Sequence, residues 1–231
     1  MSLFDLTGKK ALLLGYNGNF GPIFAETLRT AYASVIMFGM PECDFSDRRL
    51  ADLILKDISD YFIPDIIVCN AAIDIPPSKT DARFFTEFDK ILQVNLKFYA
   101  QIAEVLIPLM ENGGVFVFIG SIQGYVGADW RNYEGGFEKP VGYNVSKAAL
   151  KQLARSITVQ YGRQGIRAVC PGFGPYLGEK LTGPFAEKIK NQIPTGKGVT
   201  KEDLQRTLLY ACCCDGLAGE DWLVDGGYTK W

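Results

Sequence analysis

The sequence predicts an α/β fold in which a doubly wound, mostly parallel sheet is covered by helices on both faces. Three observations indicate this fold. Short apolar runs alternate with segments of helical length, Gly, Pro, Asn or Asp bound the runs, and a glycine-rich turn follows the first run. Continuous apolar strands are typical of parallel sheets, because helices bury both faces of such sheets. Since the chain shows no internal repeat and no linker, we expect one domain over residues 1–231.

The elements follow in order along the chain. Short apolar runs predict strands at residues 11–14, 35–38, 66–69, 115–119, 167–170 and 222–224. The segments between them predict helices at residues 21–32, 48–60, 84–110, 143–161 and 201–212. We expect Pro108 to end or kink the third of these helices. Two long segments, about residues 123–141 and 171–196, are expected to be substrate loops at the carboxyl ends of the strands.

Composition excludes several classes of protein. The 231 residues carry a net charge of −2 with no basic run, so a nucleic-acid partner is not expected. No apolar stretch reaches the roughly 18 residues that cross a bilayer, so we expect no membrane partner. The first residues lack the layout of a signal peptide, which predicts a cytoplasmic location.

The chain contains no histidine, which excludes histidine triads and histidine-ligated zinc. Its six cysteines form no Cys-x-x-Cys pair, and the adjacent Cys212, Cys213 and Cys214 would point in different directions from a helix. We therefore expect reduced structural thiols and no metal site.

The glycine-rich turn lies between the first strand and the first helix. Glycines here allow a tight turn and close approach to a pyrophosphate, while the helix amino terminus offers free N–H groups. The alternative is a tight connection with no ligand. The turn consists of Gly15, Tyr16, Asn17, Gly18, Asn19, Phe20 and Gly21.

Other residues fit a nucleotide site. Asp44, beside Phe45, offers a carboxylate that an adenine amine would donate to. Asn95 sits inside a predicted helix, an unfavourable place for Asn unless its side chain forms a specific hydrogen bond. A third strand ends in Asn70, Ala71 and Ala72, small residues that permit close approach of a ligand.

Ser121, Tyr143 and Lys147 form a candidate acid–base group. Tyr143 and Lys147 are four residues apart, so they share one face of a helix. An ammonium group close to a phenol favours the phenolate and lowers the pKa of the phenol. The Ser121 hydroxyl would hold the substrate oxygen while Tyr143 exchanges its proton. The alternative is a solvated helix face without chemistry.

Together these motifs resemble those of the short-chain dehydrogenase/reductase family over nearly the whole chain. The resemblance implies a Rossmann fold, NAD or NADP as cofactor, a small-molecule substrate and a homo-oligomer, either tetramer or dimer. It makes Asn95, Ser121, Tyr143 and Lys147 the catalytic residues, with Asn95 holding a water that links Lys147 to solvent. Tyr143 and Lys147 would also contact the cofactor, with Pro171 and Gly172, followed by Phe173, beside the nicotinamide.

The chain departs from the family pattern at several positions. Asn19 replaces the usual middle glycine, and Gly39 replaces the acidic residue that binds the ribose 2′-hydroxyl of NAD. The segment from Phe38 to Asp44 leads almost directly to the family's third strand, so the intervening helix is expected to be missing. The stretch before Pro171 is also shorter than usual. These departures leave the preference between NAD and NADP open.

The loop before Tyr143 is longer than in many members of the family and suggests the substrate. It resembles an insertion in relatives that act on sugars and sugar acids. Trp130 and Tyr133 would stack on a sugar ring, Arg131 would bind a carboxylate or phosphate, and Gln123 would contact the substrate. The alternative is that the aromatic residues pack the loop onto the protein and that Arg131 is solvated.

We therefore predict an NAD(P)-dependent oxidoreductase that interconverts an alcohol and a carbonyl, with sugars or sugar acids as candidate substrates. The alternative is a catalytically idle nucleotide-binding sensor or scaffold on the same fold.

Overall fold

The computed structural model describes residues 3–58, 61–75, 84–129, 132, 139–177 and 183–230. Its strands are β1 Lys10–Leu14, β2 Ser34–Phe38, β3 Ile66–Cys69, β4 Gly114–Phe118, β5 Gly120–Ser121, β6 Ile166–Phe173 and β7 Asp221–Val224. Its α-helices are α1 Gly21–Thr30, α2 Leu50–Ile58, α3 Phe84–Leu92, α4 Phe98–Leu106, α5 Val141–Tyr161, α6 Pro184–Asn191 and α7 Lys201–Cys213. None of the helices in these segments is both long enough and apolar enough to cross a bilayer.

One parallel sheet connects the seven strands. From the edge strand β2 the order is β2, β1, β3, β4 and β6, and β6 also pairs with β5 and β7. Leu12 of β1 lies opposite Ile36 of β2 and Ile67 of β3, and every described strand pair has the same parallel direction. The predicted doubly wound parallel sheet is confirmed.

The two faces of the sheet are buried by different helices. Leu12 and Leu14 of β1 belong to a core formed with α2, α4 and α5, whereas Ala11 and Leu13 belong to a core formed with α1 and α7. This alternation follows from the strand geometry, because successive side chains point to opposite faces. The carboxyl ends of the strands remain free to carry a site.

The predicted helix over residues 84–110 is divided in the structure. α3 passes into a π-helix, Gln93–Lys97, which passes into α4, and a 3₁₀ turn, Ile107–Leu109, follows. Pro108 lies in that turn, as we expected of a residue that ends the helix. A π-helical turn inside a long helix is often found at a functional site.

The predicted loop over residues 171–196 is wrong in part. β6 continues through Pro171 and Gly172 to Phe173, and α6 forms from Pro184. The sequence misled here because Pro and Gly normally interrupt strands, yet this strand is paired on both sides near its end. Proline at the start of α6 is favourable, since the first turn of a helix needs no N–H from that residue.

The region after β2 differs most from the family pattern. Residues 39–49 form turns and no helix, in line with our expectation that this segment lacks the family's helix. Residues 43 and 44 form no strand, and β2 is the edge of the sheet. The helix α2 then leads directly to β3.

Candidate active site

A cleft of about 350 Å³ opens at the carboxyl ends of β1, β3 and β4. Its walls come from the turn after β1, the turn after β3, the end of β4 and the start of α5. The lining residues are Gly15, Asn17, Gly18, Asn19, Phe20, Met40, Phe45, Asn70, Ala71, Ala72, Ile73, Asp74, Val94, Ile119, Gly120, Tyr143 and Lys147. The cleft therefore brings the predicted glycine turn and the predicted acid–base pair together.

The glycine turn packs closely on the end of β3. Gly15 has a φ of +87°, and a Cβ atom there would lie 2.5 Å from the Cα of Ala71. The side-chain amide of Asn70 donates to the Gly15 carbonyl over 2.7 Å. Gly18 differs, because a Cβ atom there would meet nothing nearer than 3.5 Å. Gly15 is thus required for packing, whereas Gly18 keeps space open beside the cleft.

The amino terminus of α1 is suited to an anion. Phe20 is the N-cap residue and supplies no side-chain hydrogen bond to the first turn, which begins with Gly21 and a proline. The Gly21 N–H already donates to the Gly18 carbonyl over 3.1 Å and the proline has no N–H, so the helix offers a phosphate mainly the positive end of its dipole. Gly21 is itself enclosed, since a Cβ atom there would lie 2.1 Å from the Tyr16 carbonyl oxygen. Neither Gly21 nor Tyr16 lines the cleft.

The far end of the cleft is formed by the turn after β2. The side chain of Asn17 donates to the Met40 carbonyl and so ties the glycine turn to this segment. A Cβ atom on Gly39 would lie 2.7 Å from both the Asn17 side-chain oxygen and a ring carbon of Tyr16. A side chain at position 39 therefore requires its neighbours to move.

The prediction that Asp44 reaches the adenine is not supported by its position. Asp44 is exposed, does not line the cleft, and accepts hydrogen bonds from the backbone N–H and hydroxyl of Ser46. The Ser46 hydroxyl, more than its backbone N–H, lowers the pKa of Asp44. Asp44 lies in the turns that follow β2, where its carboxylate bonds Ser46 within the same turn. Phe45 does line the cleft and packs edge-on against Phe98 at 5.0 Å.

Tyr143 and Lys147 lie one turn apart at the start of α5, and both line the cleft. Lys147 is only 3% exposed and donates to the Ile119 carbonyl over 2.7 Å. Its Nζ lies 5.6 Å from the centre of the Tyr143 ring. Burial lowers the pKa of Lys147 from 10.5 to about 8, because the charged form loses its hydration. The ammonium is thus held beside the phenol, as the sequence predicted.

Asn95 lies behind this pair and is fully buried in the π-helix. Its amide group accepts from the Ile73 N–H at 2.8 Å and donates to the Ile73 carbonyl at 3.0 Å and the Ser146 hydroxyl at 3.2 Å. Ser146 donates in turn to the Tyr143 carbonyl over 2.7 Å. Asn95 therefore ties the loop after β3 to α5; its role in holding a water stays a prediction, and its two amide protons are already used by Ile73 and Ser146.

Ser121 follows Gly120 at the end of β5 and caps the 3₁₀ turn Ile122–Gly124. Its Oγ accepts from the Gln123 N–H over 3.2 Å. Among the described residues nothing is found to accept the Ser121 hydroxyl proton. The Oε1 of Gln123 is also buried without a hydrogen-bond partner in the described part of the chain. Both side chains therefore have bonding capacity left, although neither lines the cleft.

Pro171, Gly172 and Phe173 do not line the cleft, so their placement beside the nicotinamide stays a prediction. All three are buried in β6. A Cβ atom on Gly172 would lie 2.9 Å from the Tyr125 ring, and the Phe173 ring packs edge-on against Phe20 at 5.7 Å. The continuation of the strand explains why they do not line the cleft, because it places these residues in the sheet rather than in a loop.

The long loop before α5 is described only in part. Trp130, Arg131 and Tyr133, the predicted substrate residues, lie outside the described residues. Asn132 is described and buried, and it exchanges side-chain hydrogen bonds of 2.8 and 2.6 Å with Gln192 at the end of α6. The loop is therefore attached to α6.

Sequence reasoning missed several residues of the site. Ile119, which links β4 to β5, and Gly120 of β5 form part of the wall, and Asp74 pairs with Lys139 at the cleft. Lys139 lies four residues before Tyr143, the same spacing that identified Lys147. That spacing was the available signal, but Lys139 precedes the helix and its ion pair could not be derived from sequence.

The comparisons with known proteins agree with this geometry. A family model described as "Enoyl-(Acyl carrier protein) reductase" matches residues 22–229. An uncharacterized oxidoreductase of Thermotoga maritima is 30% identical over 77% of this chain and 72% of its own length. A 3-oxoacyl-[acyl-carrier-protein] reductase of Rickettsia prowazekii is 25% identical over 97% of this chain and 98% of its own.

Solved structures share the fold. A gluconate 5-dehydrogenase of Burkholderia cenocepacia in complex with NADP and tartrate superposes with a TM-score of 0.80 at 20% identity, covering 99% of this chain and 98% of that one. A short-chain dehydrogenase of Leptospira borgpetersenii with bound NAD⁺ gives 0.82 at 21% identity, covering 98% and 95%. Because the family model matches residues 22–229 of this chain, the chain belongs to the short-chain dehydrogenase/reductase family of NAD(P)-dependent oxidoreductases.

Proposed function

We propose that this protein interconverts an alcohol and a carbonyl on a sugar or sugar-acid substrate, with NAD or NADP as cofactor. One observation carries the proposal: the glycine turn and the Tyr143–Lys147 pair line the same cleft. In this proposal the whole chain acts as one cofactor-binding domain.

The residues of the cleft fit a nicotinamide dinucleotide. The open space at Gly18 and the uncapped amino terminus of α1 suit the pyrophosphate. Gly15, Asn17, Asn19 and Asn70 would support it through the turn, and Phe45 with Met40 would contact the adenosine. When bound, the nicotinamide would supply or accept the hydride.

Tyr143 would exchange the proton with the substrate oxygen. Lys147 would favour the phenolate by its charge, since its ammonium is desolvated and held near the ring by the Ile119 carbonyl. Ser121 would donate its hydroxyl proton to the same oxygen, because its lone pairs already accept from Gln123. Asn95 would position α5 through Ser146 rather than touch the substrate.

Two features support a hydroxyl-bearing substrate. The buried Oε1 of Gln123 has no donor among the described residues, and a substrate hydroxyl would supply one. One solved structure of similar fold is a gluconate 5-dehydrogenase in complex with NADP and tartrate, while other relatives reduce acyl carrier substrates. Trp130, Arg131 and Tyr133 remain proposed substrate contacts of the loop.

The preference between the two cofactors follows from position 39. Gly39 offers no carboxylate to the ribose 2′-hydroxyl, and it is enclosed by Asn17 and Tyr16. We propose that the protein discriminates only weakly between NAD and NADP. We also propose, from the family, a homotetramer or dimer in the cytoplasm.

The proposal is tested by changing Tyr143 to Phe. Turnover is expected to fall by about two to four orders of magnitude, because general acid catalysis contributes that much. Binding of reduced coenzyme, followed by nicotinamide fluorescence, is expected to be unchanged. The assay is a screen of keto sugars and sugar acids by coenzyme absorbance.

Tyr161→Phe, at the other end of α5, is the matched control and is expected to keep its full rate. If Tyr143→Phe retains most of the rate, the assignment of Tyr143 is wrong. The altered turn after β2 favours one alternative, an idle nucleotide sensor. That alternative predicts coenzyme binding without turnover of any substrate in the screen.

A further inference from the structure

A second lysine lies beside Tyr143. The Nζ of Lys139 is 4.7 Å from the centre of the Tyr143 ring, closer than the Nζ of Lys147 at 5.6 Å. Lys139 immediately precedes Pro140, the N-cap of α5, so its backbone is fixed relative to the helix that carries Tyr143.

Lys139 forms an ion pair with Asp74, which follows the small-residue turn after β3 and lines the cleft. The Lys139 side chain is 18% exposed and that of Asp74 is 33% exposed. Partial burial weakens screening by solvent, so these charges act on their neighbours more strongly than surface charges do. The pair is therefore part of the electrostatic environment of the cleft.

The described residues that pack beside Tyr143 from the π-helix and α3 are neutral. Lys147 is the cation of α5 that lies against the Tyr143 ring, whereas Lys151 of the same helix lies over the Tyr125 ring; Asn95 of the π-helix is neutral. From α3, Phe88 and Ile91 pack against Gly142, beside Tyr143, and neither is ionisable. Asp74 raises and Lys139 lowers the pKa of Lys147, so both charges also act on the buried lysine.

We propose that the Asp74–Lys139 pair sets the pH at which Tyr143 exchanges its proton, with Lys139 favouring the phenolate and Asp74 opposing it. Lys139 and Asp74 are thus positioning residues that act through Tyr143. This inference rests on the proposed function, in which Tyr143 is the proton donor. Because the two charges oppose each other, their effects become visible when one of them is removed.

The test is a charge-deletion cycle read out as the pH profile of carbonyl reduction. Reduction needs protonated Tyr143, so its rate falls as the pH rises through the pKa of that residue. Lys139→Met leaves Asp74 unpaired and is expected to move the falling, high-pH limb of the rate profile to higher pH by about one unit. Asp74→Asn leaves Lys139 unpaired and is expected to move it to lower pH. The double variant is expected to return close to the wild-type profile.

Lys139→Arg keeps the charge and is expected to keep the wild-type profile, which separates charge from folding. Lys9→Met is the matched control, because Lys9 pairs with Asp65 at 3.5 Å at the opposite end of the sheet. The inference is overturned if both single deletions shift the limb in the same direction or not at all. An unchanged limb with a raised KM for anionic substrates also overturns it, and assigns Lys139 to substrate binding.

A second readout does not depend on turnover. The ultraviolet phenolate titration of Tyr143→Phe, subtracted from that of the wild type, isolates one tyrosine among the 11 in the chain. Repeating the subtraction in the Lys139→Met background is expected to show the same shift to higher pH. If the protein turns over no substrate but this shift is present, the proposed function fails and the charge-pair inference stands. If the enzyme is active but the shift is absent, the charge-pair inference fails and the proposed function stands.

Discussion

At the scale of one residue, the burial of Lys147 lowers the stability of the fold but places a cation beside Tyr143. Its ammonium is buried among apolar groups and held by one carbonyl, so the folded state carries a charge that water would solvate better. The benefit is a cation fixed beside Tyr143. Two buried thiols lie near it, and burial raises the pKa of Cys170 to about 12, so that thiol stays neutral.

Replacing Lys147 with Met is expected to raise stability at neutral pH. The pKa of Lys147 falls from 10.5 to about 8 on folding, so the unfolded chain binds more protons between those values. The penalty, at most about 3 kcal/mol, is fully present below pH 8 and is relieved as the pH rises toward 10.5.

The measurement for this variant is urea unfolding of both proteins across that pH range. The stability advantage of Lys147→Met is expected to shrink steadily as the pH rises. Only the pH-dependent part of the difference is diagnostic, since the variant also leaves the Ile119 carbonyl unpaired. A difference that is constant with pH would contradict a depressed pKa.

The sequence predicted individual residues where one side chain determines the chemistry. The spacing of Tyr143 and Lys147 required only a helix to bring them together, and α5 supplies it. Asp44 and Pro171 do not line the cleft and remain predictions as cofactor contacts, because their positions depend on which segments join the sheet. That outcome depends on pairing across the whole sheet and is not encoded locally.

At the scale of elements, the loop before α5 is attached to α6 by two amide side chains. Asn132 and Gln192 each donate to and accept from the other, and the Asn132 amide also donates to the Tyr228 hydroxyl at 3.2 Å. Asn132 is 3% exposed, so these bonds are shielded from water. The loop and the segment after β6, both predicted to bind substrate, are therefore mechanically coupled.

Gln192→Leu is expected to loosen this attachment. The change leaves the buried Asn132 amide short of partners, which typically costs about 1–3 kcal/mol locally. Hydrogen exchange at residue 132 and in α6 is expected to become faster, and KM to rise more than kcat falls. Asn191→Leu, one residue earlier and exposed, is the matched control. Unchanged exchange in Gln192→Leu would show that the amide pair does not hold the loop.

Elements were predictable where their pattern was continuous. The buried strands were found within a few residues because short apolar runs bounded by Gly, Pro, Asn or Asp are typical of buried strands. The division of residues 84–110 into α3, a π-helix and α4 was not predicted, since a π-helical turn has no distinct hydrophobic period. Asn95 was the only local signal of it.

At the scale of the whole molecule, the sheet ends at β2 where the family pattern continues. The glycine turn is instead held by the hydrogen bond from Asn17 to the Met40 carbonyl. Gly39 has no side chain that could bond a ribose hydroxyl. In the proposed mode of binding, Tyr143 and Lys147 line the nicotinamide end of the cleft, and Met40 and Phe45 are the lining residues at its adenosine end. Cofactor binding is therefore the point at which this chain departs most from its relatives.

Titration with NADH and NADPH, followed by nicotinamide fluorescence, tests the central claim that a dinucleotide occupies this cleft. Both coenzymes are expected to bind saturably, with dissociation constants within about tenfold of each other, or about 1.4 kcal/mol. Gly18→Leu is expected to fold, since a Cβ atom there meets nothing nearer than 3.5 Å, but to lose binding of both. Absence of saturable binding by the wild type, or undiminished binding by Gly18→Leu, would contradict the account.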